Sequence, residues 1–158
     1  MGSFYTNADG LQQQYGTRGV LSGAKEAAGV GVKKYLILDF NGVGLAYTAP
    51  VLDLSAARLP AGAYVISATL LVETTFTGAT ATLDIGTFKA SDGTELDMNG
   101  FVAAEAVAGL TAGADIAGAG AQIGTIIAQD AYVIATYNTA AFTAGKARCV
   151  IEYMMSMQ

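Results

Sequence analysis

The side chains that could do chemistry are few. There is no histidine among the 158 residues. That removes Ser-His-Asp and Cys-His nucleophile pairs, histidine general bases and histidine-ligated metals. One cysteine, Cys149, leaves no intrachain disulfide framework and no cysteine-cluster zinc site. It alternates with Val150 and Ile151 and reads as a small core hydrophobe. Glu95-Leu96-Asp97-Met98-Asn99-Gly100 places oxygen ligands at alternate positions before a glycine, like the first half of a calcium loop. The position that needs a bidentate glutamate is Ala106, with Glu105 one residue short, so a turn with a helix cap is the expectation and no metal or other cofactor is assigned. Gly29-Val30-Gly31 and Gly118-Ala119-Gly120 lack the third glycine and the Gly-Lys-Ser/Thr ending of a phosphate loop. Asp84, mid-strand between Leu83 and Ile85, is the least comfortable charge. It is expected to face outward or to pair with Arg148 or Lys146. With no carboxylate pair in an apolar setting, catalysis is not expected.

Charge and composition exclude further classes. Eight Lys and Arg against 13 Asp and Glu give a net charge of −5, and the pI is near 4.4. A nucleic-acid binder needs a basic stripe to displace counterions, and the only adjacent basic pair is Lys33-Lys34. Neither nucleic acid nor an anionic membrane is an expected partner. From Asp84 to Asp130 seven acids stand with one base, Lys89, which reads as a solvated acidic face. Hydrophobic residues make up 53% and charged residues 13%, so the chain is no disordered tail. The first residues carry no basic start and apolar run, and Ala61–Val72 is too short to span a bilayer, so the expected place of synthesis and assembly is a cytoplasm.

Two segments must position whatever the chain binds. Residues 1–34 hold seven of the 20 glycines and only five Leu, Ile or Val, and read as an extended arm. Its spaced anchors are Phe4, Tyr5, Leu11, Tyr15, Val20 and Leu21, each able to fill a pocket on a partner. Residues 35–158 read as the body. Tyr35–Phe40 is a strand, Asn41-Gly42 a hairpin signal, and Val43–Tyr47 the return. Leu52 and Leu54, between Pro50 and Pro60, should cover one end of the core. Ala63–Phe76 is the longest strand, with Tyr64, Ile66, Ala68, Leu70, Val72 and Thr74 facing the core and Val65, Ser67, Thr69, Leu71 and Glu73 the other way. Thr80–Phe88 follows, then a turn at Ser91–Thr94. Asn99 should cap a short helix over Gly100–Gly109. Thr111–Gly120 is a loop, and Ile123–Ala128, Tyr132–Tyr137 and Ala147–Met155 are three more strands. The sum is an all-β protein: an antiparallel β-sandwich, jelly-roll-like, with an arm and one short helix.

The order of several pieces carries a resemblance. Thr6-Asn7-Ala8-Asp9-Gly10-Leu11 with Tyr15-Gly16 resembles the start of small structural proteins encoded near tailed-phage capsid genes. Leu59-Pro60-Ala61-Gly62-Ala63, Ala81-Thr82-Leu83-Asp84-Ile85-Gly86, Asp92-Gly93-Thr94, Gly100-Phe101, Ile123-Gly124 and Phe142-Thr143-Ala144-Gly145 are similar to the same group. The resemblance implies a capsid decoration or cement protein: a jelly-roll-like body with an N-terminal arm, a homotrimer, fixed to the major capsid protein on the outside of the virion head. It would be assembled in the host cytoplasm and would stabilise the shell by bridging capsid subunits. The alternative is a carbohydrate- or receptor-binding virion module of the fibre or tail-tip type, although such sites favour exposed aromatics and the chain has no tryptophan. A small glycosidase or lyase on the same fold is the third possibility.

Overall fold

The computed structural model describes residues 3–6, 12–15, 33–45 and 57–155. Ten strands lie in chain order: β1 (Ser3–Thr6), β2 (Gln12–Tyr15), β3 (Lys34–Asn41), β4 (Arg58–Leu59), β5 (Ala63–Thr77), β6 (Thr82–Lys89), β7 (Glu95–Ala106), β8 (Asp115–Ala117), β9 (Ala131–Asn138) and β10 (Ala144–Met155). β1 and β2 pair antiparallel, so the arm includes a two-stranded piece where its glycines had suggested extended chain.

The other eight strands form two antiparallel sheets, β3-β10-β5-β8 and β4-β9-β6-β7. Counted from β3, the first sheet runs first, eighth, third, sixth, and the second runs second, seventh, fourth, fifth. That is the strand order of a jelly roll. Between the sheets lie Leu59, Val65, Leu70, Leu83, Ile85, Phe101, Leu110, Val133, Cys149 and Ile151, all fully buried. Each large side chain so buried contributes about 1.5–3 kcal/mol. At one end Phe76 meets Phe142 edge-on at 5.0 Å and Phe40 at 6.2 Å.

Alternation explains β3: Leu36, Leu38 and Phe40 pack inward while Tyr35, Ile37, Asp39 and Asn41 face out. On β5 the alternation breaks. Glu152 opposes Ser67 but Tyr153 opposes Val65, so Ile66 is an extra, bulged residue. Ala68, Leu70 and Val72 face the core as expected; Ala63 and Val65 do so in place of Tyr64 and Ile66, and Thr74 is exposed.

Several expectations are corrected. Gly100–Gly109 is not a helix, and Asn99 caps nothing: both belong to strand β7 and the turn after it, and no helix occurs among the described residues. β6 is buried from Leu83 through Phe88, on both faces, so its backbone needs a full ladder on each side. β9 supplies one and β7 the other, and that pairing outweighs the weak helical pattern of the tract. Ile123–Ala128 is not a regular strand: Ile123 and Gly124, the latter at φ +80°, lie in a turn, and Ile126 bridges Tyr64 while Thr125 and Ile127 exchange backbone hydrogen bonds with Gly62, Ala63 and Val65. The Thr111–Gly120 loop contains β8. Asn41-Gly42 does not make a primed hairpin, which needs positive φ at one or both central residues, and neither Asn41 nor Gly42 has it. The positive φ falls at Gly44, and Gly42 N–H donates to Gly145 O at 2.9 Å. Gly42 thus extends the β3–β10 ladder, and Val43 to Leu45 turn away. The rest of the proposed return, and Leu52 and Leu54, lie outside the described residues.

Candidate interaction surface

Among the described residues nothing packs over the outer face of the β3-β10-β5-β8 sheet. Its make-up follows from register. Ile37, Val150, Thr69 and Ala117 lie in one cross-strand row, weakly polar from edge to edge. The next row toward the Phe76 end is Asp39, Arg148, Leu71 and Asp115. On the other side stand Tyr35, Glu152 and Ser67. Tyr35 is 62% exposed, Ile37 53% and Leu71 39%, so the strip offers apolar surface to a partner.

Ion pairs frame that strip. Arg148 Nε donates to Asp39 Oδ1 at 2.6 Å and its Nη2 to Oδ2 at 3.1 Å, a bidentate fork. The fork holds the Asp39 carboxyl below the ordinary carboxylate range and raises the guanidinium. Lys33 Nζ sits 2.5 Å from Glu152 Oε1, and hydrogen bonding to that carboxylate raises the Lys33 ammonium. Lys146 Nζ meets Glu73 Oε2 at 2.8 Å and is raised in the same way. Such exposed pairs are screened by solvent and salt and add little to stability.

Asp84 is placed otherwise than expected. It is buried, faces neither solvent nor a cation, and its Oδ1 accepts from Ala104 N–H at 2.7 Å. Arg148 is taken by Asp39 and Lys146 by Glu73. Glu95–Gly100 is strand rather than a metal loop, and among the described residues no group of three or more Cys, Asp or Glu could hold a metal ion. Cys149 is buried, and burial pushes its thiol up to about 12. A shallow cleft of about 470 Å³ lies beside Arg58, Ser91 and Gln129. There Arg58 pairs with Asp130, whose other oxygen accepts from Ala61 N–H at 2.8 Å, so the polar groups satisfy one another.

Of the arm anchors, Phe4 and Tyr5 fall on β1 and Tyr15 on β2, where Ser3 opposes Tyr15 and Phe4 opposes Gln14. Leu11, Val20 and Leu21 lie outside the described residues. The sheet face was missed as a site, although its signal was present. Tyr35 and Ile37 are apolar residues on the polar phase of β3, and Leu71 breaks the polar phase of β5.

No protein-family model matches the sequence, and no curated protein matches it. Solved structures do share the fold. A chain of the cyanophage Pam1 capsid asymmetric unit aligns over 87% of this chain and 94% of its own, with a TM-score of 0.56 and 20% identity. A chain of the acidic stable capsid of Helicobacter pylori bacteriophage KHP30 aligns over 81% and 91%, with a TM-score of 0.54 and 18% identity. A chain of the capsid of Ralstonia phage GP4 aligns over 86% and 90%, with a TM-score of 0.53 and 20% identity. At these identities the likeness is one of fold.

Proposed function

We propose that the chain is a structural component of a phage head: a decoration protein that binds the outside of the capsid as a homotrimer and stabilises the shell by bridging capsid subunits. The observation that carries this reading is the fold match to chains from three phage capsid structures, over 81–87% of this chain and 90–94% of theirs. The open sheet face fits the role, because a flat apolar strip framed by fixed charges is the anatomy of an interface core with a polar rim. The arm supplies the second contact. Its anchors Phe4, Tyr5, Leu11, Tyr15, Val20 and Leu21 each gain about 1.5–3 kcal/mol on full burial, against about 1–2 kcal/mol per ordered residue. Such an arm binds well only when several copies act together. The reading assigns the chain no turnover.

The test is co-sedimentation with purified phage heads, mature and expanded, and with free capsid subunits. Full-length protein should bind heads and not free subunits, and raise the temperature at which heads release DNA. A chain lacking residues 1–30 should melt like the parent but bind heads more weakly. Binding to neither form of head would overturn the reading, as would a reproducible hydrolase activity lost on changing Asp84 or Glu73 to Ala.

A further inference from the structure

β3 is an edge strand: among the described residues it pairs with β10 alone. Eight residues of unshifted register make it long for an edge. An edge of this kind is a template for another strand. Its backbone phase is fixed by Gly42, whose N–H points to β10. By alternation, the backbone groups of Leu36, Leu38 and Phe40 also point to β10. Those of Lys33, Tyr35, Ile37 and Asp39 point to the free edge.

The side chains on that free phase complement one another when the strand meets itself. With two copies antiparallel about Leu36, Lys33 opposes Asp39 and Tyr35 opposes Ile37, and each pair occurs twice. Opposite charges and aromatic–β-branched pairs are the favourable cross-strand partners. Lys33 already meets Glu152, and Asp39 already meets Arg148. The join therefore lines up Arg148, Asp39, Lys33 and Glu152 as alternating charges across two chains, and the mirror set beside them. Leu36 meets its own copy at a non-hydrogen-bonded position. Moving the axis to Ile37 sets Lys33 against Asn41 and Asp39 against Tyr35, and both charge pairs are lost.

We infer that a second copy of this chain pairs with it through β3, the two edges antiparallel about a two-fold axis at Leu36, which extends each four-stranded sheet into one of eight. This goes beyond head binding and does not rest on it, because it concerns the purified protein alone. On a head, the same contact would link one closed oligomer to the next.

Disulfide capture reads the register directly. In a non-hydrogen-bonded pair the Cα atoms lie about 4.5 Å apart, within disulfide reach. Full-length Leu36→Cys protein under mild oxidation should give a covalent dimer on a non-reducing gel. Ile37→Cys should not, since Ile37 faces Tyr35 of the second copy. Buried Cys149 makes the parent protein the background control. Lys33→Asp in the Leu36→Cys protein should lower the dimer yield several-fold, and adding Asp39→Lys should restore it. If Leu36→Cys melts below the assay temperature, Lys34→Cys mixed with Leu38→Cys reads the same register. A dimer yield no higher than the parent's, capture through Ile37 instead of Leu36, or a yield indifferent to Lys33→Asp would each overturn the inference.

Discussion

Asp84 holds Ala104 in place: its Oδ1 accepts the Ala104 amide hydrogen at 2.7 Å, and Ala104 sits at φ +48°. Leu83 opposes Glu105 while Ile85 opposes Val102, so Ala104 is at a bulge in β7. A bulge frees a backbone N–H from the ladder, and another acceptor must take it up. The buried carboxylate does so, which explains a charge in the middle of an apolar strand.

Asp84→Ala should therefore destabilise the protein by about 1.5–3 kcal/mol, the range for a hydrogen bond to a charged group. Asp84→Asn keeps the accepting oxygen and should cost less. Ala104→Gly should act in the opposite sense and stabilise by about 1 kcal/mol, because an L-residue pays a steric cost at positive φ. Urea unfolding of the three variants checks the order. Equal midpoints for Asp84→Ala and the parent would break the account.

Gly86 and Gly113 should answer differently to alanine. A Cβ on Gly86 would lie 2.0 Å from Asp97 O, a backbone atom where β7 folds over β6. Gly113 sits at φ +83° with open space around it. Gly113→Ala should cost about 1 kcal/mol of backbone strain. Gly86→Ala should cost about 3 kcal/mol or more, since β7 must move. Thermal melts of both decide it.

Acid should weaken the fold in a defined sense. Asp39 is held below its ordinary range by hydrogen bonds from Arg148, Asp92 by those from Thr94, and Asp130 by the Ala61 amide with Arg58. For depressed carboxylates the stabilisation is present above the ordinary pKa and is lost as pH falls through the folded value. Melting temperature should thus hold down to about pH 4 and decline below it. Arg148→Ala should make the decline shallower, because Asp39 then titrates nearly as in the unfolded chain. All three carboxylates are exposed, so added salt should shrink the difference.

Cys149 should be silent. Its thiol is pushed up from 9.0 to about 12 by burial alone, so at neutral pH it is no nucleophile. A thiol reagent should label the native protein far more slowly than the protein in denaturant. For a raised pKa the stabilisation is full below the unfolded value and is lost as pH rises through the folded one. Stability should accordingly fall between about pH 9 and pH 12, and Cys149→Ala should remove part of that fall.

How much of this was legible beforehand differs by element. β3, β6, β9 and β10 could be read because each carries apolar residues at strand spacing, a local property. The absence of histidine narrowed the chemistry before any fold was known. The face around Tyr35, Ile37 and Leu71 was half legible. Its residues stand out of phase in their strands, but nothing local says that β10 brings them side by side.

The sequence by itself determined the class of the protein: all-β, two-sheeted and acidic. Only the tertiary structure decided the places where one strand's needs govern another's. Gly100–Gly109 is strand because β6 is buried on both faces and requires a ladder from β7. Asn41-Gly42 is no hairpin because Gly42 is engaged with Gly145. Asp84 is buried because Ala104, twenty residues on, has a free amide. Backbone hydrogen bonds across sheets must all be satisfied at once, and that condition joins residues far apart in the chain, where local pattern carries no record of it.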